Sequence, residues 1–120
     1  MIDGLVQWFG EQLDEDERIA RAAHEPNWST DGRRGVYYGV EDSWMTDALT
    51  TADADHIAAH DPARVLREID AKREIIRQAD LYLCDSDPGC GYRTKHGHSV
   101  LRLLALPYAD RPGYREEWRP

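Results

Sequence analysis

The sequence predicts a helix-dominated α+β fold, organised as a single domain over residues 1–120. Three features carry that expectation. An N-terminal stretch repeats its apolar residues at helical spacing, a glycine-bearing turn separates two β-prone runs, and an Asp-Pro step divides a pair of helices. The expected order is a long N-terminal helix, a β-hairpin, a short helix, a long helix, a loop, and a C-terminal helix with an extended tail.

Residues 1–24 form the first element. Leu5, Phe9, Leu13, Ile19 and Ala23 recur on one stripe with Trp8 beside it, while the acidic run 14–17 lies opposite. Asp14–Arg18 and Glu17–Arg21 are expected as i,i+4 ion pairs. Pro26 ends the helix, because the residue before proline avoids the helical region. Residues 27–44 read as the hairpin: Val36-Tyr37-Tyr38 follows Asp31-Gly32 at a turn, and Trp28 and Trp44 bracket the unit as packing anchors. Two strands are marginal unless they pack on helices.

The helix pair covers 51–83. Its first member spans roughly 52–59, with Thr50 or Thr51 as cap. The second starts at Pro62, with Asp61 as N-cap and an apolar stripe through Val65, Leu66, Ile69, Ile76, Ala79 and Leu83. Its charged flanks also suit self-association, so a homodimer is a second use of the same stripe. Residues 84–98 read as a loop, from Pro88-Gly89 and two further glycines. Ser99 then caps a last helix that Pro107 interrupts, and 99–120 ends in a tail rich in proline, glycine and charge. Tyr108, Tyr114 and Trp118 punctuate that tail. Three large aromatics are expected to lie against the body or against a partner, and they are the candidate partner-binding residues.

Net charge is -8, unevenly spread: residues 1–60 carry 13 Asp/Glu against 4 Arg, residues 61–120 carry 10 against 11. An acidic chain gains no general counterion-release term on a polyanion, which disfavours nucleic acid and favours a basic protein partner. A helix-turn-helix reading of 51–80, presenting Arg64, Arg67 and Lys72, is weakened by Glu68, Asp70 and Glu74 on the same helix. No apolar run reaches the length of a membrane span and no basic leader precedes an apolar core, so a cytoplasmic location is expected.

Two constellations could hold a metal. Cys84, Cys90, His96 and His98 supply zinc-type donors in the 84–98 loop, but their spacing is wider than the tight CxxC turn zinc modules use. His56 and His60 share a helix face, yet Ile57 stands where a zinc-protease helix needs its glutamate. Nucleotide-binding glycine loops and a serine nucleophile elbow are absent from the sequence. No catalytic residue is therefore assigned, and a non-enzymatic interaction module without a cofactor is the leading expectation. A small structural-zinc protein is the alternative.

The blocks DGLVQWFGEQLDEDERIARAA, DADHIAAHDPARVLREIDAKR and LRLLALPYADRPGYREEWRP together resemble a small actinobacterial family of unknown function. The central part is also similar to Ead-like phage accessory proteins, in which Pro-x-Trp, a short β segment, D-A-x-x-I-A and a leucine-rich helix follow one another. Glu25-Pro26-Asn27 departs from the usual glycine-proline form of that entrance. The resemblance implies an accessory, mobile-element setting and transfers no catalytic residue.

Overall fold

The fold is α+β and helix-dominated, in a computed structural model that describes residues 4–80 and 90–120, with the backbone alone for 80 and 90–94. The elements are α1 (Leu5–Ala22), β1 (Trp28–Thr30), β2 (Gly35–Tyr38), β3 (Ser43–Asp47), α2 (Thr51–Ala59), α3 (Pro62–Asp80) and α4 (Cys90–Ala105). Two short 3-10 turns, Leu106–Tyr108 and Glu116–Trp118, follow. The chain groups into two compact units, residues 15–69 and residues 1–14 with 70–120.

In the 15–69 unit, an antiparallel sheet of order β1-β2-β3 packs on α2. Val36 is buried with Ala48 and Ala54, and Met45 and Ile57 close around them. The small side chain of Ala54 suits a close approach of helix to sheet. Thr50 caps α2, accepting the Asp53 amide at 3.1 Å. Asp61 caps α3, its Oδ1 accepting the Arg64 amide at 2.9 Å. Its Oδ2 accepts the Trp28 amide at 3.1 Å, so one carboxylate starts a helix and holds a strand. The Ala63 amide donates to the Pro26 carbonyl at 2.9 Å, a second tie between the same segments.

In the other unit, Leu5, Phe9 and Leu13 of α1 are fully buried, as their spacing predicts. Leu101 and Ala105 of α4 and Ala79 of α3 are buried too. The tail supplies the remaining apolar surface: Tyr108 lies 5.3 Å from Phe9 between ring centroids, and Trp118 lies 5.5 Å from Trp8. Trp8 donates its indole N–H to the Pro112 carbonyl at 3.0 Å. That seat needs Gly113, whose φ is +92° and where a Cβ would stand 2.7 Å from the Trp8 indole nitrogen.

Four expectations are corrected. Residues 90–98, assigned to a loop, are the first half of α4, and Ser99 lies inside the helix instead of capping it. Glycine in a helix costs about 1 kcal/mol, which argues locally for a loop. Gly97 is nevertheless buried within α4, where it lines a concavity with Ile75, Ala79 and Val100. The hairpin is a three-stranded sheet, since β3 extends it to Asp47. Arg18 pairs with Glu15 at 2.5 Å, and Asp14 with Arg73 at 2.8 Å, while Arg21–Glu17 forms at 3.5 Å. Trp44, expected as a packing anchor, is 60% exposed. Residues 84–89 and Leu83 lie outside the described residues.

Candidate functional site

The large uncovered apolar side chains of the 15–69 unit are Ile19, Val40, Trp44 and Leu49, of which Val40 is fully exposed. Trp44 owes its position to register. Val36 points into the core, so Tyr37, next in the strand, points to the opposite face. Tyr37 is the cross-strand partner of Trp44, while Val36 pairs with Thr46; the register shift between them leaves Met45 as the extra residue. The outer face of the sheet thus carries Tyr37 and Trp44 side by side.

Carboxylates surround these rings. Tyr37 donates its hydroxyl to Asp31 Oδ2 at 3.3 Å, and Trp44 donates its indole N–H to Asp47 Oδ1 at 3.1 Å. Ser29, paired with Tyr37 on the other side, donates its hydroxyl to Asp42 Oδ1 at 3.2 Å. Gly35 permits this arrangement, because a Cβ there would lie 2.9 Å from both the Asp31 carboxylate and the Tyr37 ring. The electrostatics follow. The Arg33 amide, then the Tyr37 hydroxyl and Gly35 amide, hold the Asp31 carboxyl below its ordinary range, against the opposing effect of burial. The negative charge of Asp31, with burial and a smaller effect of Asp47, pushes the Tyr37 phenol up.

A pH dependence follows from these directions. Asp31 is lowered on folding, so it contributes stability that is full above its unfolded value and lost as pH falls through its folded one. Acidification below the ordinary carboxylate range is expected to release the 31–35 turn. The Gly35 and Arg33 amide resonances should titrate together there, and Asp31→Asn should remove that titration. Amide shifts in Asp31→Asn that still titrate as in the parent would refute the assignment.

A second concavity, of about 300 Å³, is lined mainly by Ile19, Ala20, Ala23, Trp28, Pro62 and Val65. Trp28 is held there through its indole N–H to the Glu25 carbonyl at 2.8 Å as well as by its Asp61 bond. His60 borders the groove, its ring 4.3 Å from that of His56. Its Nδ1 lies 2.8 Å from the His56 carbonyl, which can only accept, so that nitrogen carries the proton.

The remaining predicted residues fall elsewhere. Cys84 lies outside the described residues. Cys90 begins α4, and His96 and His98 are two positions apart on the same helix, where side chains do not face one another. A helical rise of about 1.5 Å per residue also separates positions 90 and 98 by about 12 Å. The wrapped loop expected over 84–98 is thus helical from Cys90, so Cys90, His96 and His98 would have to reach a metal from one helix. Among the described residues, no three His, Cys, Asp or Glu side chains are grouped to hold a metal ion. Chelator is expected to leave the melting temperature unchanged, in the parent and in His96→Ala alike; a chelator-dependent fall in the parent alone would restore the zinc reading.

Tyr108 and Trp118 are buried against α1, and Tyr114 is half-buried, 5.5 Å from Trp8. Arg64, proposed for a helix-turn-helix, is paired with Glu68 at 2.8 Å and donates to the Ala59 carbonyl at 3.2 Å. The sheet face was not foreseen as a site; the aspartates flanking each aromatic in 31–47 were its only sequence signal.

Fold and surface together define a small acidic α+β protein with an uncovered aromatic sheet face. Residues 2–120 match the model of a family of unknown function (DUF6221), and the chain belongs to that family. No curated protein and no solved structure matches it.

Proposed function

We propose that the chain is a non-enzymatic protein-interaction module whose partner is basic. One observation supports this most: the 15–69 unit holds 12 Asp/Glu against 6 Arg and leaves Trp44, Leu49 and Val40 uncovered in the same unit. Exposed aromatic and aliphatic side chains are enriched where proteins associate, and surrounding carboxylates select the sign of the partner. On this reading the binding surface lies on the acidic unit, while the rings of the aromatic tail pack on α1. No helix of the described residues is long and apolar enough to cross a membrane. The Ead-like order of segments supports an accessory role in a mobile element.

The test is quantitative capture on immobilised chain, comparing the parent with a variant in which Glu41, Asp42 and Asp47 are amides. A discrete set of proteins with basic segments, retained at physiological salt and lost by the variant, is the expected result. Equal capture by both forms would overturn the reading.

A further inference from the structure

We propose that the outer face of the β1-β2-β3 sheet is a docking site for an arginine side chain of the partner, stacked on Trp44 and paired with Asp47. This rests on the module reading and names the residue that the module recognises. The occupant follows from complementarity. Trp44 presents a ring that is 60% exposed, and an indole face attracts a cation within about 6 Å of its centroid. Asp47 lies beside the ring, its Oδ1 held by the indole N–H at 3.1 Å, so the carboxylate and the π face are fixed relative to one another. Asp31 and Asp42 bring two further carboxylates to the same face through Tyr37 and Ser29. A guanidinium meets both demands at once: it is planar, stacks on aromatic rings and offers parallel N–H donors to a carboxylate, whereas an ammonium is a hydrated point charge.

The chain uses the same chemistry within itself. Arg111 sits 4.6 Å over the Tyr108 ring, Arg115 5.2 Å over Trp118, and Arg119 5.8 Å over Tyr114. Those rings belong to the other unit. Among the described residues, none of the cation–ring contacts is to Trp44 or Tyr37, although Arg33 and Arg34 stand in the adjoining turn. The sheet face is thus an aromatic surface of the kind that arginine fills elsewhere in this protein, left without its cation and set among carboxylates.

The experiment follows the indole N–H resonances of the four tryptophans while full-length protein is titrated with three blocked peptides. These carry alternating glycine with arginine, lysine or glutamate. Saturable movement of the Trp44 resonance with the arginine peptide is expected, weaker movement with lysine, and none with glutamate, while Trp8, Trp28 and Trp118 hold still. Trp44→Ala and Asp47→Asn should each raise the peptide Kd about tenfold, read on the Tyr37 amide, and Trp44→Phe should lose less because it keeps a ring. Equal affinity of arginine and lysine peptides, unchanged by Trp44→Ala, would overturn the site and leave only diffuse charge attraction. Captured proteins that survive Trp44→Ala with Asp47→Asn would sink this inference while sparing the module reading. Peptide binding without capture of any basic protein would do the reverse.

Discussion

Trp118→Ala is expected to destabilise the protein by about 3–5 kcal/mol, the usual cost of emptying a large aromatic site in a core. Trp118 is 1% exposed, two residues from the end of the sequence given. Its ring packs 5.5 Å from Trp8 and 5.7 Å from Tyr114, so removal leaves a cavity with two rings on its wall. Among the described residues, the buried indole N–H of Trp118 has no acceptor. Truncation therefore loses no hydrogen bond, and the effect is packing. Trp118→Phe separates these contributions, because it keeps an aromatic ring and deletes the unpartnered donor, and it should cost only about 1–2 kcal/mol. Trp44→Ala is the contrast: an exposed indole should cost within about 0.5–1 kcal/mol, its hydrogen bond to Asp47 being replaced by water. Urea denaturation of the three variants decides the point. A Trp118→Ala loss as small as that of Trp44→Ala would mean that the tail is not part of the core.

That contrast also shows where sequence reasoning stops. Both tryptophans are large aromatics among polar neighbours; their sequence settings predict a packing anchor for Trp44 and a contact with the body or a partner for Trp118. Local patterns identify a helix when its information is local: Leu5, Phe9 and Leu13 repeat every four residues, and Asp61-Pro62 carries its own cap chemistry. Trp44 is different, because the face it takes depends on which residue of β2 lies opposite, and on the shift that leaves Met45 as the extra residue of β3. Pairing across a turn decides it, and no periodicity in 43–47 records that pairing. Gly97 fails for the opposite reason. Its local preference points to a loop, yet residues 90–105 are helical and Gly97 is buried within them. The zinc reading drew on that loop, and from Cys90 onward its residues lie on a helix instead. The aspartates of the sheet face were legible as charge, but their hydrogen bonds to Tyr37, Trp44 and Ser29 became visible only with the strands in register.

Asp61→Ala should have the second-largest effect, about 2–3 kcal/mol, for a reason the Asp-Pro pattern reveals only in part. The pattern identifies the cap: Oδ1 accepts the Arg64 amide, and losing a cap costs about 1 kcal/mol. The structure adds that Oδ2 accepts the Trp28 amide from β1, 33 residues away in sequence. Alanine leaves that amide without its carboxylate acceptor, and an unmet, partly buried donor costs about 1–3 kcal/mol. Two replacements divide the roles. Asp61→Ser can still cap the helix but has one short oxygen, so it should recover the cap contribution and not the strand tie. Asp61→Asn keeps one acceptor but turns an amide donor toward the other N–H, and should rank between serine and alanine or match alanine. Trp28 also walls the groove with Ile19, Ala20, Ala23 and Val65, and its ring is placed by the backbone that Asp61 holds. Loss of the tie should therefore increase hydrogen exchange at the Trp28 amide more than at Arg64 once the serine restores the cap. Equal exchange at both amides in Asp61→Ser would show that the carboxylate acts as a helix cap only, with β1 held by the Ala63–Pro26 bond instead.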